Sequence, residues 1–227
     1  EISACLVGSE MCIRDSPSDP EYRRLKYVRY ADDFLLGFVG PRSEAEEIKQ
    51  HIGQFLREEL RLELSDTKTL ITHARREAAR FLGYEVTTIH ADAKHCLRRD
   101  GTQGRSVNGR IGLRIPREVI VTKCQRYQKG NKARHRSELM DASDYTIVST
   151  YQLEFQGLAN YYRLAYNLHT LNHLKYVMEC SLTKTLARKF KRSVPKVYER
   201  YGAEFEKDGK RYRGLQVTIA RPEKPHW

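Results

Sequence analysis

Apolar residues cluster on either side of a polar centre early in the chain: Tyr27-Val28-Arg29-Tyr30, then Ala31-Asp32-Asp33, then Phe34-Leu35-Leu36-Gly37-Phe38. This pattern predicts strand, tight turn and strand over Tyr22–Phe38, closed by Gly40-Pro41. Ala45, Ile48, Ile52, Phe55, Leu56 and Leu60 then recur at helical spacing, so one helix face packs on the sheet. Ser43 and Glu46 stand as a capping box, with Ser43 as N-cap. Leu62 and Leu64 alternate as a short strand, Lys68–Thr72 continues the same domain, and Ala78–Ile89 predicts a second hairpin around Gly83. Ile111, Leu113 and Ile115 alternate ahead of Pro116 as a strand, Val119–Gln128 predicts a helix, and Gly130–Arg136 a basic turn. From Thr146 the pattern is mostly helical. Ile147, Tyr151, Phe155, Leu158, Tyr162 and Ala165 form one stripe, and Leu174–Phe190 a further helix. Pro195 marks a break, Val197–Tyr201 a last short helix, and Lys207–Leu215 a turn joining short strands. The fold class this predicts is α+β.

Charge sharpens the picture. The 227 residues allow one large domain or two smaller ones, with a sizeable core. Their net charge is +12, and twelve Lys or Arg face two acids between Arg98 and Arg136, so the excess is local. A polyanion is the partner such a segment suits, with a solvated linker as the plain alternative. The 5 cysteines are scattered without a CxxC pair and read as reduced thiols of a cytosolic-type compartment. No stretch reaches the roughly 18 apolar residues of a membrane span, and no signal peptide stands out.

The candidate chemistry sits at Asp32 and Asp33. Hard divalent cations take carboxylate oxygens together with substrate phosphates. Two such ions would activate a 3′-hydroxyl and stabilise leaving pyrophosphate. The plain rival is an ordinary Asp-Asp turn. His90, Asp92, His95 and Cys96 cluster in sequence but match no zinc pattern, and His169 with His173 lacks a third ligand. Tyr162 reads as core, whereas Tyr161 is open to stacking on a base.

Tyr30-Ala31-Asp32-Asp33 resembles the catalytic box of reverse transcriptases. Leu62-Glu63-Leu64-Ser65-Asp66-Thr67-Lys68-Thr69 resembles the next palm block of the group II intron-encoded reverse transcriptase/maturase family, and Phe81-Leu82-Gly83-Tyr84 its primer-grip hairpin. Ile147 to Gly202 resembles that family's maturase segment, through Gly157-Leu158-Ala159-Asn160-Tyr161-Tyr162 and Ser181-Leu182-Thr183-Lys184-Thr185-Leu186-Ala187. The resemblance covers about residues 22 to 215 in the family's order.

This resemblance implies a partial polymerase palm of antiparallel hairpins with a packed helix, followed by a mainly helical thumb/maturase domain. The partition expected is a foreign head at 1–20, which resembles a translated adaptor, palm at 21–97, and a basic connection and thumb start at 98–145. Domain X follows at 146–215 and a truncated tail at 216–227. Asp32 and Asp33 would hold two Mg²⁺ ions, with Mn²⁺ as substitute. Tyr30, Ala31, Lys68, Leu82 and Gly83 would lie near nucleotide or primer. Lys68 would neutralise the triphosphate or protonate pyrophosphate, against a plain surface lysine. Arg98, Arg99, Arg105, Arg110, Arg126, Lys129, Lys132, Arg134, Arg136, Lys184, Arg188 and Lys189 would contact RNA phosphates.

The implied activity is RNA-directed DNA polymerisation combined with help in splicing. Its partners would be group II intron RNA, RNA/DNA primer-template, deoxynucleoside triphosphates and a DNA target site, with no membrane. The implied setting is the bacterial cytoplasm, or an organelle. A splicing maturase without catalysis, or a reverse transcriptase of another retroelement, are the alternatives. The family's third metal-binding Asp and its fingers precede the Tyr-Ala-Asp-Asp turn. With the head set aside, neither Asp15 nor Asp19 serves, and this segment alone is expected to be inactive as a polymerase. The chain stops at Trp227, ahead of the DNA-binding and endonuclease parts that many relatives carry.

Overall fold

The computed structural model describes residues 21–90, 95–97, 101, 103–105 and 109–218. The head at 1–20, Asp92, Arg98 and Arg99 lie outside the described residues. The fold is mixed α and β, in two compact units that divide between Ile111 and Gly112.

In the first unit, β1 (Arg24–Tyr30) and β2 (Asp33–Val39) pair antiparallel from Arg24↔Val39 to Tyr30↔Asp33. Helix α1 (Arg42–Glu59) follows. Its N-cap is Pro41, not Ser43: the proline sits extended at φ −68° and the helix starts one residue beyond it. Ser43 therefore falls in the first turn, and Glu46 pairs with Arg42 at 2.9 Å instead of closing a capping box. The strand expected at Leu62 and Leu64 is not formed. Arg61 reverses the chain at φ 53°, and the Leu62 N–H returns to the Leu56 carbonyl at 2.9 Å, as at many helix ends. Ser65 O then accepts from both Lys68 N and Thr69 N, which makes a turn. Lys49 fastens that turn to α1 by donating to Thr69 O at 2.8 Å. With its polar groups used this way, the segment has no ladder to join.

The second hairpin is present as expected. β3 (Ala79–Phe81) and β4 (Tyr84–Ile89) meet across Leu82-Gly83, both at positive φ, 47° and 72°. Such a two-residue loop matches the right-handed twist of its strands. β5 (His95–Leu97) and β6 (Gln103–Arg105) form a further antiparallel pair. No residue of α1 is buried, and every residue of β1 is exposed.

The buried core lies in the second unit. β7 (Arg110–Arg114) carries the chain into it, and α2 (Arg117–Tyr127), β8 (Gln128–Lys129) and β9 (Lys132–Ala133) follow. Helix α3 (Asp144–Tyr161) is capped by Ser143, whose Oγ accepts from Thr146 N at 3.1 Å. Helix α4 (Leu171–Lys189) is central and packs on α2, on α3 and on α5 (Val194–Tyr201). Leu174, Val177, Met178, Leu182 and Leu186 are buried, as are Ser181 and Thr185 on the same face and Thr183 opposite Leu174. A helix enclosed so widely belongs in the middle of a bundle. Leu174 and Leu186, at 1% and 0% exposure, each stabilise it by about 1.5–3 kcal/mol. Asn167 stitches a loop to β7's end: it accepts from Ile115 N at 2.8 Å and donates to Ile115 O at 3.2 Å.

Two expectations are corrected here. The α3 stripe ends at Tyr161, so Ala165 reaches the core from the following loop, and Phe155 and Leu158 are only half-buried. Pro195 does not break the helix but lies in the first turn of α5, where its missing N–H has no carbonyl to lose. β10 (Gly202–Lys207) and β11 (Lys210–Leu215) then turn through Asp208-Gly209, at φ 53° and 71°. Gly202 is required by close approach, because a Cβ there would collide with the Tyr198 carbonyl.

The tyrosines of this core respond to alkali. Burial, and then the Glu154 carboxylate that accepts its proton, hold the Tyr127 phenol well above the ordinary tyrosine range. Burial also raises Tyr151, and burial followed by Asp144 raises Tyr201. The folded unit thus keeps protons that the unfolded chain releases near pH ~10. Stability from this source is complete below that pH and falls as pH rises through the raised values. A pH titration should show the exposed tyrosines ionising first, with the helices intact, and the last tyrosinate absorbance rising together with helix loss above about pH 10. Complete tyrosine ionisation with helicity intact would contradict it.

Candidate functional site

The hairpin tip is built by local chemistry. Tyr30 and Asp33 are the last register pair, so Ala31-Asp32 is a two-residue loop. Ala31 adopts φ 52°, a left-handed conformation uncommon for a residue with a Cβ. Arg29 steadies it by donating from Nε to the Ala31 carbonyl at 2.7 Å. Asp32 and Asp33 are both exposed. Alternation along the strands puts Asp33 on the face that also carries Tyr30, Val28 and Leu35, while Arg29 and Phe34 lie opposite. Half-buried Phe34, Leu35, Leu36 and Phe38 hold β2 from behind the tip.

Leu82 and Gly83 occupy the tip of the second hairpin, and β2 and β3 lie close to one another. Lys68 lies exposed on the Ser65–Thr69 turn. The structure thus brings Tyr30, Ala31, Asp32 and Asp33 together, with Lys68 and the Leu82-Gly83 turn on other segments of the same unit.

The predicted RNA-contacting cations separate into groups. Arg110, Arg126, Lys129, Lys132, Arg134 and Arg188 are exposed, and Arg105 lies in β6. Arg136 is not on the surface: it is 4% exposed and belongs to the core. Its Nε donates to Glu138 at 2.8 Å, its Nη1 to Glu154 at 2.9 Å, and its guanidinium lies 5.3 Å from the Tyr151 ring centre. Two further lysines are tied to backbone carbonyls: Lys184 Nζ donates to Ala133 O and Lys189 Nζ to Met140 O, each at 2.7 Å. Sequence reasoning missed Glu154, which also receives Arg126 at 3.1 Å and the Tyr127 hydroxyl. The available signal was its isolation, as the one charged residue of the helix body from Tyr145 to Tyr161.

The exposed carboxylates of Asp32 and Asp33 suit a divalent cation, since hard ions take oxygen donors. Among the described residues no group of three His, Cys, Asp or Glu is placed to hold a metal. His169 lies in a 3₁₀ turn and His173 in α4. His90 instead accepts from Arg75 Nε at 3.0 Å. Tyr162 is buried at 4% exposure and Tyr161 is exposed, their rings edge-to-face at 4.9 Å. No helix among the described residues is long and apolar enough to cross a membrane.

Comparison with known proteins bears directly on this arrangement. The family described as type II intron maturase matches residues 108–219. The family described as reverse transcriptase (RNA-dependent DNA polymerase) matches residues 10–86, starting within the segment set aside as a foreign head. The group II intron-encoded protein LtrA of Lactococcus lactis subsp. cremoris is 36% identical over 204 residues, covering 86% of this chain and 33% of LtrA. The putative COX1/OXI3 intron 1 protein of Saccharomyces cerevisiae is 31% identical over 199 residues, covering 82% of this chain and 24% of that protein. An uncharacterized mitochondrial protein of Marchantia polymorpha is 28% identical over 250 residues, covering 88% and 34%. The chain therefore spans about a third of the length of these relatives, or less. By its two family matches, in order along one chain, and by these relatives, the chain belongs to the group II intron-encoded reverse transcriptase/maturase family.

Proposed function

We propose that this chain carries the catalytic turn and the maturase segment of a protein that copies RNA into DNA and assists the splicing of its intron. The observation that carries the reading is the Tyr30–Asp33 turn, which presents two exposed carboxylates at the tip of an antiparallel hairpin. Asp32 and Asp33 would hold Mg²⁺, or Mn²⁺ in its place, as two of the ligands. The ion supplies Lewis-acid stabilisation of phosphoryl oxygens when bound. The chain's own part is to fix those carboxylates: the Arg29 bond to Ala31 O and the β1–β2 register limit where the tip can point. Tyr30 would flank the primer end or nucleotide, and Lys68, Leu82 and Gly83 would approach the same substrates.

In this reading residues 21–97 are the later part of a palm, 98–145 a basic connection and thumb start, and 146–215 a helical domain X. Support comes from the division into two units near Ile111 and from the helical core of the second. The partners are intron RNA, primer-template, deoxynucleoside triphosphates and a DNA target, in a bacterial cytoplasm or an organelle. Arg110, Lys129, Lys132, Arg134 and Arg188 are the cations left to meet phosphates, since Arg136, Lys184 and Lys189 serve the fold and Arg126 pairs with Glu154.

Binding through such cations releases counterions, so affinity must fall with salt. If about four phosphates of a single strand are neutralised, affinity should drop roughly fiftyfold between about 50 and 200 mM salt. A salt titration of RNA binding by this chain tests it, and a flat response would refute the basic-surface reading.

A further inference from the structure

The turn from α4 into α5 and one side of α5 line an open cleft of about 350 Å³. Phe190 and Tyr201 line it with aromatic surface, and Arg192, Lys196, Arg200 and Glu199 supply its charge. Its shape is fixed by the backbone: Lys191 reverses the chain at φ 50°, and Arg192 N donates to Ala187 O at 2.9 Å. Lys196 and Arg200 stand four residues apart on α5 and so share a face. The Arg200 guanidinium lies 5.3 Å from the Phe190 ring centre and 5.1 Å from that of Tyr201. Contact with two ring faces restrains a guanidinium while leaving its N–H edge available to an acceptor. Arg192, Lys196 and Arg200 form no ion pair among the described residues. Three like charges around one small cleft, with a single carboxylate, repel one another until an anion joins them.

We propose that this cleft binds one phosphodiester of RNA at a place where the backbone leaves the helical stack, as in a bulge, loop or single strand. The inference rests on the reading that this chain binds RNA. Guanidinium forks match phosphate oxygens in pairs, and the lysine adds a point charge. The volume lies at the low end of the roughly 300–1,000 Å³ range of small-ligand pockets, room for a phosphate with its sugar and too little for a duplex. The phosphates of a regular helix lie on a convex surface, which a recessed site reaches poorly.

The experiment compares a single-stranded RNA oligonucleotide with an RNA duplex of equal length, both bound to the full chain and followed by fluorescence anisotropy. Arg192→Gln/Lys196→Gln leaves Arg200 on its rings. It should weaken single-strand binding about tenfold, the loss of charge-assisted hydrogen bonds from two cations. The log–log salt slope should become shallower by about 1.4, or roughly 0.7 per cation. Duplex binding should change less than about twofold. Glu199→Gln, which removes the one carboxylate, should tighten single-strand binding about threefold, so a signal of opposite sign remains if the double variant misfolds. If the unaltered chain binds and both variants match it, the cleft assignment is overturned while RNA binding stands. Equal weakening on duplex and single strand overturns the irregular-backbone assignment. An unaltered chain that binds neither RNA removes the reading beneath both.

Discussion

On the proposed reading, Asp32→Asn in the protein at its full natural length should lower RNA-templated DNA synthesis by roughly a thousandfold, the several kcal/mol that a metal ion would contribute to phosphoryl transfer. The substitution keeps shape and size and removes one negative charge. Asp32 is an exposed loop residue, and the β1–β2 register pairs Tyr30 with Asp33 on either side of it, so the hairpin has no reason to change. RNA affinity should stay within about twofold, because the tip is not among the exposed cations proposed to meet phosphates. Primer extension on an RNA template, read beside a binding titration, checks both halves. Retained synthesis would remove the catalytic role from Asp32. Lost binding would mean that the turn holds RNA and not only the metal. Splicing assistance that survives while synthesis is lost would separate the two activities, as expected if they reside in different units.

Much of this hairpin was legible because its determinants are local. Period-two alternation and a short polar centre fix a strand pair without reference to the rest of the chain. The same holds for Leu82-Gly83 and Asp208-Gly209, where Gly83, Asp208 and Gly209 tolerate positive φ at their turns. Leu62 and Leu64 misled because two alternating leucines fit a strand or an irregular segment equally well. The left-handed Arg61 and the Leu62 N–H at the end of α1 decided between them. Ser43 and Glu46 had the spacing of a cap, yet a proline immediately upstream took that place.

Charge density was the least faithful signal. Arg134 and Arg136 stand two apart in one basic run, and alternation alone gives them equal standing. Arg134 is exposed, whereas Arg136 has two carboxylates and two tyrosine rings around it. Those partners come from residues up to eighteen places away, which spacing cannot reveal. Lys184 and Lys189, expected from the resemblance to contact RNA phosphates, are both held by backbone carbonyls, of Ala133 and Met140. Isolated charge was the better guide: Glu154, alone in an apolar helix body, is where the buried network converges.

That convergence leads to the largest expected loss of stability. Glu154→Ala should destabilise the second unit by about 3 kcal/mol, at the lower end for breaking a buried pair because the carboxylate is 24% exposed. Arg136, with a 5% exposed side chain, would keep only Glu138, which at 58% exposure is screened by water. The Tyr127 hydroxyl would lose its acceptor as well. Glu154→Gln retains an acceptor for that hydroxyl and should lose about half as much. Replacing both charges, as Arg136→Met/Glu154→Leu, leaves no bare ion in the core and should recover most of the loss. Urea unfolding followed by helical circular dichroism, completed as a double-mutant cycle, gives the coupling between the two side chains. A Glu154→Ala loss under about 1 kcal/mol would place Glu154 among ordinary surface carboxylates. So would single-variant losses that simply add in the double variant. A strong coupling would establish why a basic run that otherwise faces solvent sends one arginine inward: its charge, held between two helix-borne tyrosines, fixes how the Arg134–Arg136 segment lies against α3 and α4.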